Sequence, residues 1–133
     1  MKEKTKCILV VDDDPLVLWL VDHALSSDGF RVITAEDGIE ALKRIAECRT
    51  SVVMALIDVM MPRMNGKELA RELLASCPGI KILFMSGYGP DILADEPALA
   101  EKSSFLEKPF DFSRLLKKVH AEMADSPGTS IDG

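Results

Sequence analysis

The 133-residue sequence predicts a single, doubly wound α/β domain, in which helices cover both faces of a parallel sheet. Short apolar runs alternate along the chain with segments of helical periodicity, the pattern of parallel strands joined by crossover helices. Three of the runs are continuously apolar, as expected of strands that are buried on both faces. The length suits one domain, because a chain of this size is too short for two well-buried cores.

Five runs are the strand candidates. The first, third and fourth are the continuously apolar ones, and the second and fifth are expected at the edges of the sheet. In chain order the candidates are residues 7–11, 31–35, 52–57, 80–85 and 104–107.

A helix is expected after each strand candidate. Asp14 followed by Pro15 fits an N-cap residue and the first helical position. The fourth helix should be short, because glycines and prolines interrupt residues 87–103. The later helices are expected to begin after Asp37, Asn65, Gly89 and Asp111.

The first helix carries more apolar residues than one face needs. Leu18 and Trp19 fall outside its predicted inward face and are expected in or near water. Trp19 then either anchors a partner protein or folds down over neighbouring helix surface, and the sequence leaves both open. The predicted inward face consists of Leu16, Val17, Leu20, Val21 and Ala24.

Residues 1–123 are expected to form the domain, and residues 124–133, which are small, polar and aperiodic, a disordered tail. The net charge of −6 argues against nucleic-acid binding. No apolar run has the length of a membrane span and no secretion signal is visible, so a cytoplasmic location is expected. Cys7, Cys48 and Cys77 form no CxxC or Cys/His cluster, which argues against a disulfide framework or a zinc site.

Four of the five strand candidates end in residues that can carry chemistry. In an open parallel sheet, ligands bind beyond the carboxyl ends of the strands, so these side chains should converge on one edge. They are Asp12 and Asp13 after the first strand, Asp58 after the third, Ser86 after the fourth and Lys108 after the fifth.

Clustered carboxylates repel one another and raise each other's pKa unless a cation neutralises them. A set of oxygen ligands without histidine or thiol suits Mg²⁺ and disfavours zinc. Such a set, with a lysine and a hydroxyl, supports phosphoryl transfer to a carboxylate. The nucleophile should be Asp58, the acid that stands alone.

Four segments, "ILVVDDD", "ALIDVMMPRMNG", "ILFMSGY" and "FLEKPF", together resemble the signatures of the response-regulator receiver domain of two-component signalling. The resemblance implies a flavodoxin-like (βα)₅ fold with strand order 2-1-3-4-5. It also implies a phosphoacceptor, Asp58, and a Mg²⁺ site formed by Asp13, Asp58 and the Met60 carbonyl, with Asp12 acting through water.

Three further roles follow from the same resemblance. Lys108 would pair with the phosphoryl group, Ser86 would swing toward it, and Phe105 would be the switch aromatic of an α4-β5-α5 output surface. The phosphodonor would be a histidine kinase or histidine phosphotransfer protein. The histidines of this chain, His23 and His120, are therefore expected to be ordinary surface residues.

The leading interpretation is a signalling domain that catalyses only its own phosphorylation and dephosphorylation, as a monomer or a phosphorylation-dependent dimer. "FMSGY" and "FLEKPF" are similar to receivers of hybrid histidine kinases, so the domain could belong to such a kinase or stand alone. One alternative is an aspartyl-phosphate hydrolase of the haloacid-dehalogenase type, although such enzymes carry a second acid where this chain has Met60. The other is an interaction module that works without phosphorylation.

Overall fold

The computed structural model describes residues 6–48, 52–61 and 64–124. Its sheet has five strands, all parallel, in the order β2-β1-β3-β4-β5, which confirms the predicted fold class and strand order. The strands are β1 (Cys7–Val11), β2 (Arg31–Ala35), β3 (Val52–Asp58), β4 (Lys81–Ser86) and β5 (Ser103–Glu107).

In the described part of the chain, five α-helices accompany the strands, and a 3-10 helix (Pro90–Leu93) lies before the fourth. The helix expected directly after Gly89 is therefore this 3-10 helix, and the α-helix starts seven residues later. It is short, as predicted. The α-helices are α1 (Pro15–Ser27), α2 (Gly38–Glu47), α3 (Gly66–Ser76), α4 (Pro97–Glu101) and α5 (Phe112–Ala124).

Two apolar cores lie on opposite faces of the sheet, because successive side chains of a strand point to opposite faces. In β1, Ile8 and Val10 face α1 and α5, whereas Leu9 and Val11 face α2, α3 and α4. The three inner strands are buried on both faces, as their apolar runs predicted. Because the strands are parallel, the last residues of the three inner strands lie at the same edge of the sheet.

The predicted inward face of α1 is confirmed at four of its five positions and wrong at Leu16, and the outward position predicted for Leu18 is also wrong. Leu16 is 69% exposed, whereas Leu18 is 8% exposed and packs in the core with Val21. Trp19 is 61% exposed, as expected, and its ring stacks on His23 at a centroid distance of 5.1 Å. The packing against the sheet, which periodicity alone does not specify, selects the face that contains Leu18.

Side chains cap the helices that begin near the carboxyl edge of the sheet. Asp14 accepts a hydrogen bond from the Leu16 amide and precedes Pro15 in α1, as predicted. Asp37 caps α2, and Asn65 caps α3 in a capping box with Glu68. These caps fix the chain direction just beyond the strand ends.

The predicted tail lies outside the described residues, apart from Ala124, which ends α5. Cys7, Cys48 and Cys77 are not joined by disulfides. Over residues 6–48, 52–61 and 64–124, none of the helices combines the length and the apolar character that crossing a membrane requires.

Candidate functional site

Three carboxylates meet at the carboxyl ends of β1 and β3. These strands are neighbours in the sheet, with Val11 beside Ile57, so the residues that follow must lie close together. Oxygen atoms of Asp12, Asp13 and Asp58 lie within 4.8 Å of one another. Asp12 is fully buried, Asp58 is 7% exposed and Asp13 is exposed.

Asp14, the third acid of the run that begins at Asp12, has a structural task. Its side chain caps α1, and its amide donates a hydrogen bond to Asp12 Oδ1 at 2.9 Å. The turn at the start of α1 thus orients the Asp12 carboxylate, whose other oxygen faces Lys108.

Lys108, the residue directly after β5, brings a cation to this group. Its Nζ donates a hydrogen bond to Asp12 Oδ2 at 2.8 Å and lies 3.7 Å from Asp58 Oδ1. The Lys108 amide donates to the Ser86 carbonyl at 2.8 Å, which ties the ends of β4 and β5 together. One ammonium group therefore faces two buried carboxylates.

Burial raises the pKa of Asp58 to about 6, and the negative charge of Asp12 acts in the same direction. Lys108 and a hydrogen bond from the Met60 amide oppose this rise without cancelling it. Burial also lowers the pKa of Lys108, but the hydrogen bond and charge of Asp12 outweigh it, so that this pKa is raised. Lys108 is therefore a permanent cation at neutral pH.

Ser86 and Met60 border the acids. Ser86 is buried at the end of β4, and its Oγ accepts a hydrogen bond from the Tyr88 amide at 3.0 Å. Met60 follows β3, with its amide directed to the Asp58 carboxylate and its side chain exposed. The metal role predicted for the Met60 carbonyl and the phosphoryl contact predicted for Ser86 stay predictions.

Phe105 lies in β5, on the face of the sheet that α2, α3 and α4 cover. It is half-buried, lies beside Phe84 in the strand register, and packs with a ring-centroid distance of 6.4 Å to that residue. It belongs to the core that also contains Leu93 and Leu99, on either side of the link from the 3-10 helix to α4. The switch role of Phe105 stays a prediction.

Gly66 belongs to the site although the sequence reasoning did not select it. A Cβ atom at this position would collide with the Asp58 carbonyl and with the Val59 backbone, so α3 begins directly against the end of β3. The Gly66 amide also donates to the Val59 carbonyl at 2.9 Å. In the sequence, the pair Asn65-Gly66 indicates the cap at the start of α3, but it does not indicate that the Gly66 backbone lies against the backbone of Asp58.

The donor set fits Mg²⁺. Three carboxylates face one ammonium group, an excess of negative charge that a divalent cation would balance. Magnesium prefers oxygen donors, and within the described part of the chain no histidine or cysteine joins this group.

The family described as response regulator receiver domain matches residues 8–120. The chain is 38% identical over 112 residues to the sensor kinase CckA of Brucella abortus, a match that covers 84% of the chain and 12% of that protein. It is 37% identical over 116 residues to the response regulator MprA of Mycobacterium sp. (strain KMS), covering 86% of the chain and 49% of the relative. The chain thus spans about half or less of the length of these relatives.

Solved structures resemble the fold over most of the chain. The chemotaxis protein CheY4 of Vibrio cholerae has a TM-score of 0.81 and 28% identity, with 90% of this chain and 99% of that chain covered. The response regulator TrrA of Thermotoga maritima, in complex with Mg²⁺-BeF, has a TM-score of 0.75 and 32% identity, with 88% and 98% covered.

Proposed function

Since the chain belongs to the response-regulator receiver domain family, we propose that Asp58 is the residue on which it accepts a phosphoryl group. One observation carries the assignment. Asp58 is a buried carboxylate at the carboxyl end of a central strand, 3.7 Å from a lysine and within 4.8 Å of two further acids. Receiver domains signal rather than catalyse reactions of external substrates, and any self-phosphorylation or dephosphorylation of this chain belongs to the proposal.

The transfer is a displacement at phosphorus. An Asp58 carboxylate oxygen forms a bond to the phosphorus of a phosphohistidine, the phosphorus–nitrogen bond breaks, and its electron pair stays on the imidazole. Lys108 can neutralise charge on the transferred oxygens, because its Nζ already lies between Asp12 and Asp58. The raised pKa of Asp58 means that the attack requires a pH at which this acid is ionised.

We assign the Mg²⁺ site to Asp13, Asp58 and the Met60 carbonyl, with Asp12 acting through water. The metal would supply positive charge to the phosphoryl oxygens and bring Asp58 and the phosphodonor together. Asp13 and Asp58 would hold the cation directly and Asp12 through water, while Lys108 pairs with the buried Asp12.

Ser86 would contact the phosphoryl group, and Phe105 would change its packing in response. The Ser86 hydroxyl can donate to a phosphoryl oxygen once its turn adjusts, since at rest its Oγ accepts the Tyr88 amide. Phe105 packs beside the 3-10 helix and α4, so that movement of this turn changes the surface formed by α4, β5 and α5.

The phosphodonor is proposed to be a histidine kinase or histidine phosphotransfer protein. Within the described residues, the exposed large apolar side chains lie in loops and in the first or second turns of helices that begin at the carboxyl edge of the sheet, the edge that carries the acids. Such a rim suits a protein partner that covers the site. The rim consists of Leu16, Trp19, Ile39, Met60, Tyr88 and Phe112.

A cytoplasmic location is part of the proposal, and the absence of disulfides among Cys7, Cys48 and Cys77 fits a reducing compartment. The similarity to a segment of CckA supports an origin in a hybrid kinase, and that to MprA a regulator with an output domain.

The proposal is tested by incubation with acetyl phosphate, with and without Mg²⁺, followed by intact mass spectrometry. Wild type and the exposed control variant Glu72→Gln should gain one phosphoryl group only with Mg²⁺, and Asp58→Asn should gain none. Rapid turnover of varied phosphoesters would instead indicate a hydrolase. A folded, Mg²⁺-binding protein without any adduct would indicate an interaction module that works without phosphorylation.

A further inference from the structure

A set of polar contacts outside the acidic site joins α3 to the segment between β4 and α4. Lys67 Nζ donates hydrogen bonds to the Ile92 carbonyl at 3.0 Å and to Asp95 Oδ1 at 3.1 Å. One turn further along α3, Arg71 Nη1 contacts both carboxylate oxygens of Glu96 at 2.5 Å. These five residues are called the α3 latch below.

The α3 end of the latch is fixed to the phosphoacceptor. Lys67 follows Gly66, whose amide donates to the Val59 carbonyl at 2.9 Å and whose Cα is packed against the backbone of Asp58. The first turn of α3 therefore has little freedom to move relative to Asp58.

The other end of the latch lies in the segment that follows Ser86 along the chain. Ile92 lies in the 3-10 helix, six residues after Ser86, and Glu96 directly precedes α4. The Ser86 Oγ accepts the Tyr88 amide in this structure, so a new contact from Ser86 to a phosphoryl group requires the turn to shift. A shift of this turn would displace the residues that follow it, among which Ile92 and Glu96 are bound to α3 by the latch.

The Lys67 contacts and the Arg71–Glu96 contact of the latch differ in their exposure to solvent. The Lys67 side chain is largely buried and satisfies a main-chain carbonyl, and its hydrogen bond lowers the pKa of Asp95. Arg71 is half-exposed and contributes through its two-oxygen contact with Glu96. A loosely held surface pair would carry little energy, but contacts that join two separate elements bear on their relative position.

We propose that the α3 latch holds the β4–α4 segment in its unphosphorylated arrangement, with Lys67 and Arg71 as positioning residues that set how readily the domain switches. The inference rests on the proposed phosphorylation of Asp58. Contacts made in only one of two arrangements shift the balance between them, so removal of the latch favours the phosphorylated arrangement.

The test uses beryllium fluoride with Mg²⁺, a tetrahedral stand-in for a phosphoryl group, titrated by calorimetry. Lys67→Met and Arg71→Met, which keep an apolar chain, should each lower its dissociation constant by about threefold, and the double variant by about tenfold. Amide hydrogen exchange over residues 87–101 should become faster in the same variants without beryllium fluoride. The exchanged pair Arg71→Glu with Glu96→Arg should return both quantities to their wild-type values.

Arg44→Met is the matched control, because it removes an ion pair with Glu40 inside a single helix, α2. Latch variants that match Arg44→Met in affinity and exchange, or that bind beryllium fluoride more weakly, overturn the latch while leaving the phosphoacceptor intact. A wild-type protein that neither binds beryllium fluoride nor takes a phosphoryl group from acetyl phosphate overturns the proposed function, and the latch with it.

Discussion

Replacement of Asp58 by asparagine should stabilise the metal-free protein at neutral pH. Asp58 is buried beside Asp12, and these surroundings raise its pKa from the ordinary 3.8 to about 6. At about 1.4 kcal/mol per pKa unit, keeping this carboxylate ionised in the folded state costs about 3 kcal/mol. The neutral amide of Asp58→Asn avoids this cost.

The pH dependence has a definite sign. Between about pH 4 and pH 6 the folded protein keeps the Asp58 proton that the unfolded chain has released, so the folded state binds more protons. The contribution of Asp58 to the free energy of unfolding therefore falls as the pH rises through this window. The advantage of Asp58→Asn should grow from near zero at about pH 3.5 to about 3 kcal/mol at pH 7.5.

The measurement is urea unfolding followed by far-ultraviolet circular dichroism in EDTA, for both proteins across this pH range. Glu72→Gln makes the same change at an exposed position of α3 and serves as the control. A stability difference that is absent at pH 7.5, or that persists undiminished at pH 3.5, would show that burial does not raise the pKa of Asp58 as inferred.

Lys108→Met removes the cation beside fully buried Asp12 and should cost about 2–3 kcal/mol in EDTA, measured by urea unfolding, with recovery on adding Mg²⁺. Unchanged stability would mean that Asp12 does not depend on this pair. Gly66→Ala forces a methyl group against the Asp58 backbone and should cost about 1–3 kcal/mol while slowing phosphorylation by acetyl phosphate. Stability and rate equal to wild type would exclude this close approach. Trp19→Ala should slow phosphotransfer from the cognate histidine kinase by about fivefold or more, and should leave phosphorylation by acetyl phosphate unchanged. Equal slowing with both donors would point to damage at the site rather than a docking role.

The meeting of Asp12 and Asp58 could be predicted because β1 and β3 are neighbours in the sheet, and residues that end adjacent parallel strands share an edge. Lys108 follows β5, which β4 separates from β3, so its ammonium group reaches the two acids along the same edge through its long side chain. The apolar runs identified the strands to within one residue, since β3 reaches Asp58, β4 is displaced by one position and β5 begins one residue earlier.

The helix faces and the fourth helix depend on information that is not local. In α1 no polar residue occurs before Asp22, so that the first two turns, which contain Leu18, carry no polar residue to mark the outer side, and the packing on the sheet decides which face is buried. Both Pro90 and Pro97 can begin a helix, and the chain uses the first for a 3-10 helix and the second for α4. The partners of Lys67 lie 25 and 28 residues further along the chain, beyond the reach of any local pattern.

The assignment of Asp58 as the phosphoacceptor is tested most directly by locating the phosphoryl group on the chain. An acyl phosphate is reduced by borohydride to an alcohol, which leaves a permanent mark on the residue that carried it. After treatment with acetyl phosphate and Mg²⁺, the mark should appear at residue 58 alone and should be missing when Mg²⁺ is replaced by EDTA. A mark on another acid of the site, or an undiminished phosphoryl adduct on Asp58→Asn, would contradict the assignment.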